Sequence, residues 1–157
     1  MTTGTVGAAL EREHREIDEG LEAFAAGLSQ GESRSEPLMR AVEGLRRHIY
    51  IEEELLFPSL RAAGMVAPVF VMLREHGEIW RALDEIDDDV RAGAAGNSTL
   101  ETCQRLAGLL EAHNLKEEQI LYPQADRVLT APAGSDLAAF LASGRMPDGW
   151  VSARARE

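Results

Sequence analysis

Two stretches of this chain repeat each other without a gap. "HIYIEEELLFP" begins at His48 and "HNLKEEQILYP" at His113, and both read H-x-x-x-E-E-x-x-L-(F or Y)-P. A second pair accompanies them: "REHREI" ends at Ile17 and "REHGEI" at Ile79. The order is therefore R-E-H-x-E-I, then H-x-x-x-E-E, then the same two again, so each half of the chain carries the same polar elements. A chain built this way folds as two similar units, and packing them face to face creates a pseudo-two-fold axis.

The spacing of apolar residues makes those units helical. Leu10, Ile17, Leu21, Phe24 and Leu28 form one stripe, with His14 filling its gap. Val42, Leu45, Ile49, Glu52 and Leu56 form a second. Val69, Met72, His76, Ile79, Leu83, Ile86 and Val90 form a third, and Leu106, Leu109, His113 and Ile120 a fourth. No alternating β-type segment competes with them. The breaks carry helix-end chemistry: Ser35 as an N-cap with Pro37 in the first turn, Gly64 as a stop, Pro68 at a start, and Ser98 with Glu101 as a capping box. The pattern predicts an all-α chain, an up-down-up-down antiparallel four-helix bundle over residues 1–130. Residues 131–157 are expected to add a short helix, about Asp136 to Ser143, and a loose tail.

The chain has only four histidines, His14, His48, His76 and His113, and each falls on a different helix at or beside the apolar stripe. Counting residues to the intervening breaks gives similar arms on both sides, so the four imidazoles meet at one level of the core. Glu52 and Glu117 each follow a histidine by four residues, one turn along the same face. Buried carboxylates are costly unless paired or coordinating a cation. Four imidazoles and two carboxylates at one level therefore read as a metal site, suited to divalent iron, manganese or zinc, with the two carboxylates able to bridge two ions. Glu53 and Glu118 point off that face and read as solvated or backing residues; Glu13 and Glu75 adjoin histidines and could orient the imidazoles, with a surface position the preferred reading. Asp18, one turn after His14, is a weaker candidate ligand. Phe57, Tyr122 and Cys103 read as packing.

Composition narrows the partners. The formal net charge of -11 argues against nucleic acid and anionic membrane, which both demand cationic surface. No stretch approaches the ~20 apolar residues that span a bilayer. The first residues lack the basic and apolar regions of a signal peptide, and a single cysteine, Cys103, permits no internal disulfide. A cytoplasmic protein is the expectation.

From His14 to Tyr122 these motifs resemble the hemerythrin family, specifically the bacterial HHE-type cation-binding domains. The resemblance implies an up-down four-helix bundle around an oxo- or hydroxo-bridged non-heme centre of two iron ions. It implies that His14 and His48 hold one ion, His76 and His113 the other, and that Glu52 and Glu117 bridge them. Two features depart from the oxygen-carrying hemerythrins. Trp80 stands where they place a fifth histidine, and Glu117 follows His113 by four residues where they set the last carboxylate five on, usually as aspartate. Tryptophan offers no ligand atom, since its indole nitrogen only donates.

The departures bring the pattern nearer to family members linked to iron handling, nitric oxide stress and peroxide chemistry. The leading expectation is a protein whose iron binds or reacts with oxygen, nitric oxide or hydrogen peroxide. The alternatives are an oxygen carrier or iron store or sensor without turnover, and an iron donor for iron–sulfur cluster repair. The sequence carries no flavin, nicotinamide or heme motif, so turnover would need an outside reductant or a dismutation.

Overall fold

The structure is a computed structural model and describes residues 5–31 and 36–156. It is all-helical, with no strand among the described residues. Helix α1 spans Val6–Ser29 and α2 Glu36–Ile51. A π-helical turn, Glu52–Leu56, joins α2 to α3, Phe57–Ala62. Then come α4, Val66–Arg91, and α5, Asn97–Lys116. A second π-helical turn, Glu117–Leu121, leads into α6, Tyr122–Val128, and α7 spans Ala131–Ser143.

Several helix ends follow local chemistry. The Thr5 hydroxyl caps α1 by accepting from the Ala8 N–H at 3.1 Å. Gly64, at φ +97°, closes α3 where only glycine turns freely, and the Met65 N–H returns to the Leu60 carbonyl at 3.0 Å. Pro37 and Pro68 sit in first turns as expected, and the expected Ser35 cap lies outside the described residues. The expected capping box at Ser98 is not formed. Helix α5 starts earlier, at Asn97, and the Thr99 hydroxyl accepts from the Gly96 N–H (3.1 Å) while donating to Asp89 (2.8 Å), tying the start of α5 to the end of α4. Helix α7 also begins earlier than Asp136, because the Thr130 hydroxyl caps it and Pro132 fits its first turn.

The prolines explain the π turns. Pro58 and Pro123 have no N–H, and their rings clash with the carbonyl four residues back. Widening the helix by one residue relieves the clash, so the Phe57 N–H returns to the Glu52 carbonyl and the Tyr122 N–H to that of Glu117. The wider turn shifts the register. Ile120, expected in the fourth stripe, is 49% exposed, and Leu121 and Tyr122 are buried in its place.

Neighbouring helices pack with residue numbers rising on one as they fall on the other. His14 meets His48 on α2, and Gly7 and His14 of α1 meet Asp126 and Glu118. Arg46 and Glu53 meet Asp84 and His76 of α4, and Glu75, Glu85 and Asp89 of α4 meet His113, Arg105 and Thr99. Two apolar clusters result. One gathers Ile17, Phe24, Leu45, Ile49, Ile79, Leu83, Leu106 and Leu110 with their neighbours. The other gathers Leu10, Ile51, Leu56, Phe57, Met72, Leu121, Tyr122 and Leu137. Along α1, α4, and α5 with the turn that follows it, the histidine falls between the two clusters, and on α2 His48 lies at the end of the first cluster, three residues before Ile51 of the second.

The segment after α7 is not loose. Met146, Trp150, Val151 and Ala155 pack on the first cluster, and Ser152 is fully buried. The sequence offered no motif there because the segment's bonds to the bundle are to distant residues, Glu53 and Glu54 among them.

Leu83 is fully buried between helices, whereas Val66 is 58% exposed. Leu83→Ala is expected to cost about 2–5 kcal/mol in urea unfolding, and Val66→Ala to stay within about 0.5 kcal/mol. Equal costs would mean that the first cluster does not stabilise the fold.

Candidate metal centre

The four imidazoles and two carboxylates do converge. Their ligand atoms form two groups, His14, His48, Glu52 and Glu117, and Glu52, His76, His113 and Glu117, each with all atoms within 4.8 Å of one another. All six residues are 3% exposed or less. Both carboxylates reach across the two histidine pairs. Glu52 Oε1 lies 3.5 Å from His48 Nε2 and 3.2 Å from His76 Nε2. Glu117 Oε1 lies 3.2 Å from His14 Nε2 and 3.3 Å from His113 Nε2.

The outward nitrogens decide what the inward ones can do. Each Nδ1–H donates to a carboxylate on a neighbouring helix or turn: His14 to Glu118 (2.8 Å), His48 to Glu13 (2.8 Å), His76 to Glu53 (2.8 Å) and His113 to Glu75 (2.9 Å). A carboxylate can only accept, so Nδ1 carries the proton and a neutral ring presents its Nε2 lone pair inward. This is how metal-binding histidines are oriented and made more basic. The inward lone pairs of His14 and His48 then meet the Tyr122 hydroxyl, whose one proton goes to Glu52. His14 Nε2 and His48 Nε2 face each other at 3.0 Å, and Glu117 Oε2 is buried with no hydrogen-bond partner. Only protons or cations relieve such an arrangement.

These bonds decide between the alternatives the sequence left for four residues. Glu53 and Glu118 do point off the ligand face, but that direction aims them at the next helix's imidazole. Glu13 and Glu75 are not surface residues either. Glu13 also receives Arg47 (3.2 Å), and Glu75 receives Lys116. The R-E-H and E-E pairs carry the signal for this, since each glutamate adjoins a ligand candidate. Asp18 belongs to neither group.

Tyr122 was missed as more than packing. Its hydroxyl donates to Glu52 Oε2 at 2.8 Å and lies 3.2 Å from Glu117 Oε1, 2.9 Å from His14 Nε2 and 3.2 Å from His48 Nε2. The π turn puts it there: in a regular helix the residue five after Glu117 would point roughly 140° away. Its counterpart Phe57 stacks on His76, with ring centroids 5.4 Å apart, and brings no hydroxyl. Trp80 lies in the first apolar cluster under the Arg46 guanidinium, 5.3 Å from its ring.

The electrostatics follow from this packing. Burial disfavours charge on His14 and His113, but Glu117 outweighs it, raising them to about 9 and about 10. His76 is also raised, burial being overcome by Glu52 and Glu53. Burial and the charge of Glu117 push Glu52 up, whereas His113 and hydrogen bonds hold Glu117 well below the usual range despite its own burial. Burial and the two carboxylates push the Tyr122 phenol well up. Against burial, His113 and Lys116 hold Glu75 down at about 2. Cys103 is raised to about 11 by burial alone, which makes it a poor thiolate.

A family model for the hemerythrin HHE cation-binding domain matches residues 5–125. The chain belongs to that family. Neither the curated proteins nor the solved structures give a match. As a hemerythrin-domain protein the chain is a cation binder by family, and its two His/Glu groups are suited to metal. No described helix is long and apolar enough to cross a membrane.

Two pH effects are expected. With the site free of metal, His14 and His113 keep a proton above the ordinary 6.5, up to about 9 and 10. Their contribution to stability is full below pH ~6.5 and fades as pH rises through ~9–10, so metal-free protein should melt lower across that window. Metal must displace those protons, so uptake at pH 7 should release protons, read as a dependence of the binding heat on buffer ionisation. A binding heat independent of buffer would show the imidazoles neutral beforehand.

Proposed function

We propose that this protein holds two iron ions within an up-down-up-down four-helix bundle. In this reading His14 and His48 serve one ion, His76 and His113 the other, and Glu52 and Glu117 serve both. The observation that carries it is the pair of four-residue donor groups sharing two buried glutamates. The orphaned Glu117 Oε2 and the opposed His14 and His48 lone pairs support it. The antiparallel contacts between consecutive helices support the topology.

We further read the protein as one that binds or reacts with a small ligand, oxygen, nitric oxide or hydrogen peroxide, in sensing or stress protection. Iron at such a site supplies ligand binding and one-electron chemistry. The chain's own residues supply the rest. The two apolar clusters exclude water above and below the six donors. A groove of about 560 Å³ between α1 and α5, lined by His14, Asp18, Cys103, Asn114 and Glu118, gives small molecules an approach to one side. The Tyr122 hydroxyl, with its pKa pushed up, keeps its proton and can donate it as a hydrogen bond at the centre of the site. Iron donation to other proteins fits less well, because all six donors are buried and release would require the helices to part. Trp80 contributes no nitrogen, so this reading gives the His76 and His113 ion two imidazoles.

Elemental analysis after anaerobic loading with ferrous iron is expected to give about two ions per chain. Well under one would defeat the reading. Glu52→Ala and Glu117→Ala should each disrupt the pair, because each removes a donor from both groups. Tyr122→Phe should keep both ions and alter the optical spectrum seen on adding peroxide or nitric oxide to the reduced protein. A fully reversible oxygenated adduct of the native protein would favour an oxygen carrier instead.

A further inference from the structure

The two halves of the chain are related by exchanging His14 with His76, His48 with His113, and Glu53 with Glu118, and the four histidine–carboxylate bonds obey that exchange. The surroundings do not. "REHREI" and "REHGEI" differ at one position, Arg15 against Gly77. Gly77 lies where the segment after α7 comes down on the bundle. A Cβ there would stand 2.9 Å from Arg154 Cβ, closer than real Cβ atoms approach, and a tight 3.1 Å from its carbonyl carbon. Arg15, its counterpart, lines the open groove between α1 and α5.

The segment is anchored and aimed. Trp150 packs edge-on against Trp80 (5.5 Å) and Tyr50 (5.1 Å), and its indole N–H reaches Glu54 at 3.2 Å. Two residues on, the Ser152 hydroxyl donates to Glu53 Oε2 at 2.6 Å, and the Ala153 N–H donates to Glu53 Oε1 at 3.0 Å. Glu53 Oε2 is the atom that receives His76 Nδ1–H. With both oxygens bonded, Glu53 is 4% exposed, whereas its counterpart Glu118 is 36% exposed.

We propose that residues 150–156 are a built-in strap that completes one of the two metal positions and not the other. Seated in the gap at Gly77, the strap fixes Glu53, and Glu53 fixes the His76 ring. The His14 half keeps an unstrapped carboxylate and faces the groove. Ser152 is thus a positioning residue acting through Glu53, and Trp80 is the seat of the strap. The two positions differ in affinity, with the His76 position filling first. This inference rests on the reading that the six donors hold two cations.

The test is anaerobic titration of the full chain with cobalt(II), following its visible ligand-field bands and the binding heat. The native protein is expected to bind in two steps. Ser152→Ala and Gly77→Arg, which installs the residue of the first repeat, should each weaken the first step about tenfold and change its bands, leaving the second step in place. Glu118→Gln should weaken the second step, and Arg15→Gly neither. Far-UV circular dichroism of the metal-free variants checks folding, and Ser152→Ala carries the test if Gly77→Arg fails to fold. If the strap variants bind both equivalents as the native protein does, or lose both steps equally, the strap is overturned while two-metal binding stands. If the native protein takes up no cobalt, the metal reading falls and the strap with it.

Discussion

Four hydrogen bonds from imidazole Nδ1 to carboxylate govern this molecule. Each settles which ring nitrogen keeps the proton, and so turns the other nitrogen's lone pair into the core, toward Glu52 and Glu117. The remaining architecture follows from that. Two fully buried carboxylates and four inward imidazoles would be intolerable in an apolar interior without protons or cations. The chain confines them to one level and closes both sides with Leu, Ile, Phe and Met. That layer also couples the four long helical runs, because each bond joins residues far apart in sequence.

Duplication makes this economical, and its exceptions show where the halves differ. The repeated motifs supply two hairpins with the same donors, and exchanging them reproduces each orienting bond. Phe57 against Tyr122 puts a hydroxyl beside His14 and His48 and a plain ring beside His76. Arg15 against Gly77 leaves one half facing a groove and lets the backbone around Arg154 close on the other. These two differences in a near-symmetric frame place a hydroxyl in one half and a close-packed backbone against the other.

The π turns connect the repeat to the site. Each opens at a ligand-candidate glutamate and is followed by an aromatic residue and proline. The proline enforces the wider turn, and the wider turn brings residue i+5 back over the glutamate. Regular periodicity fails in that interval, which is why Ile120 faces solvent and Leu121 and Tyr122 face inward.

The sequence by itself determined the helical class, the place of each histidine on its own helix, and the register of Glu52 and Glu117. Those depend on spacings of three to seven residues within one helix, which a single strand of text records. The tertiary structure decided the rest. Glu13, Glu53, Glu75 and Glu118 act on histidines 23 to 104 residues away, across seams between helices. Tyr122 entered the site through a change of helical pitch, and the segment around Ser152 found Glu53 from 99 residues off. Such partnerships leave no periodic trace, because they are fixed by which faces meet when the two hairpins close around the polar layer.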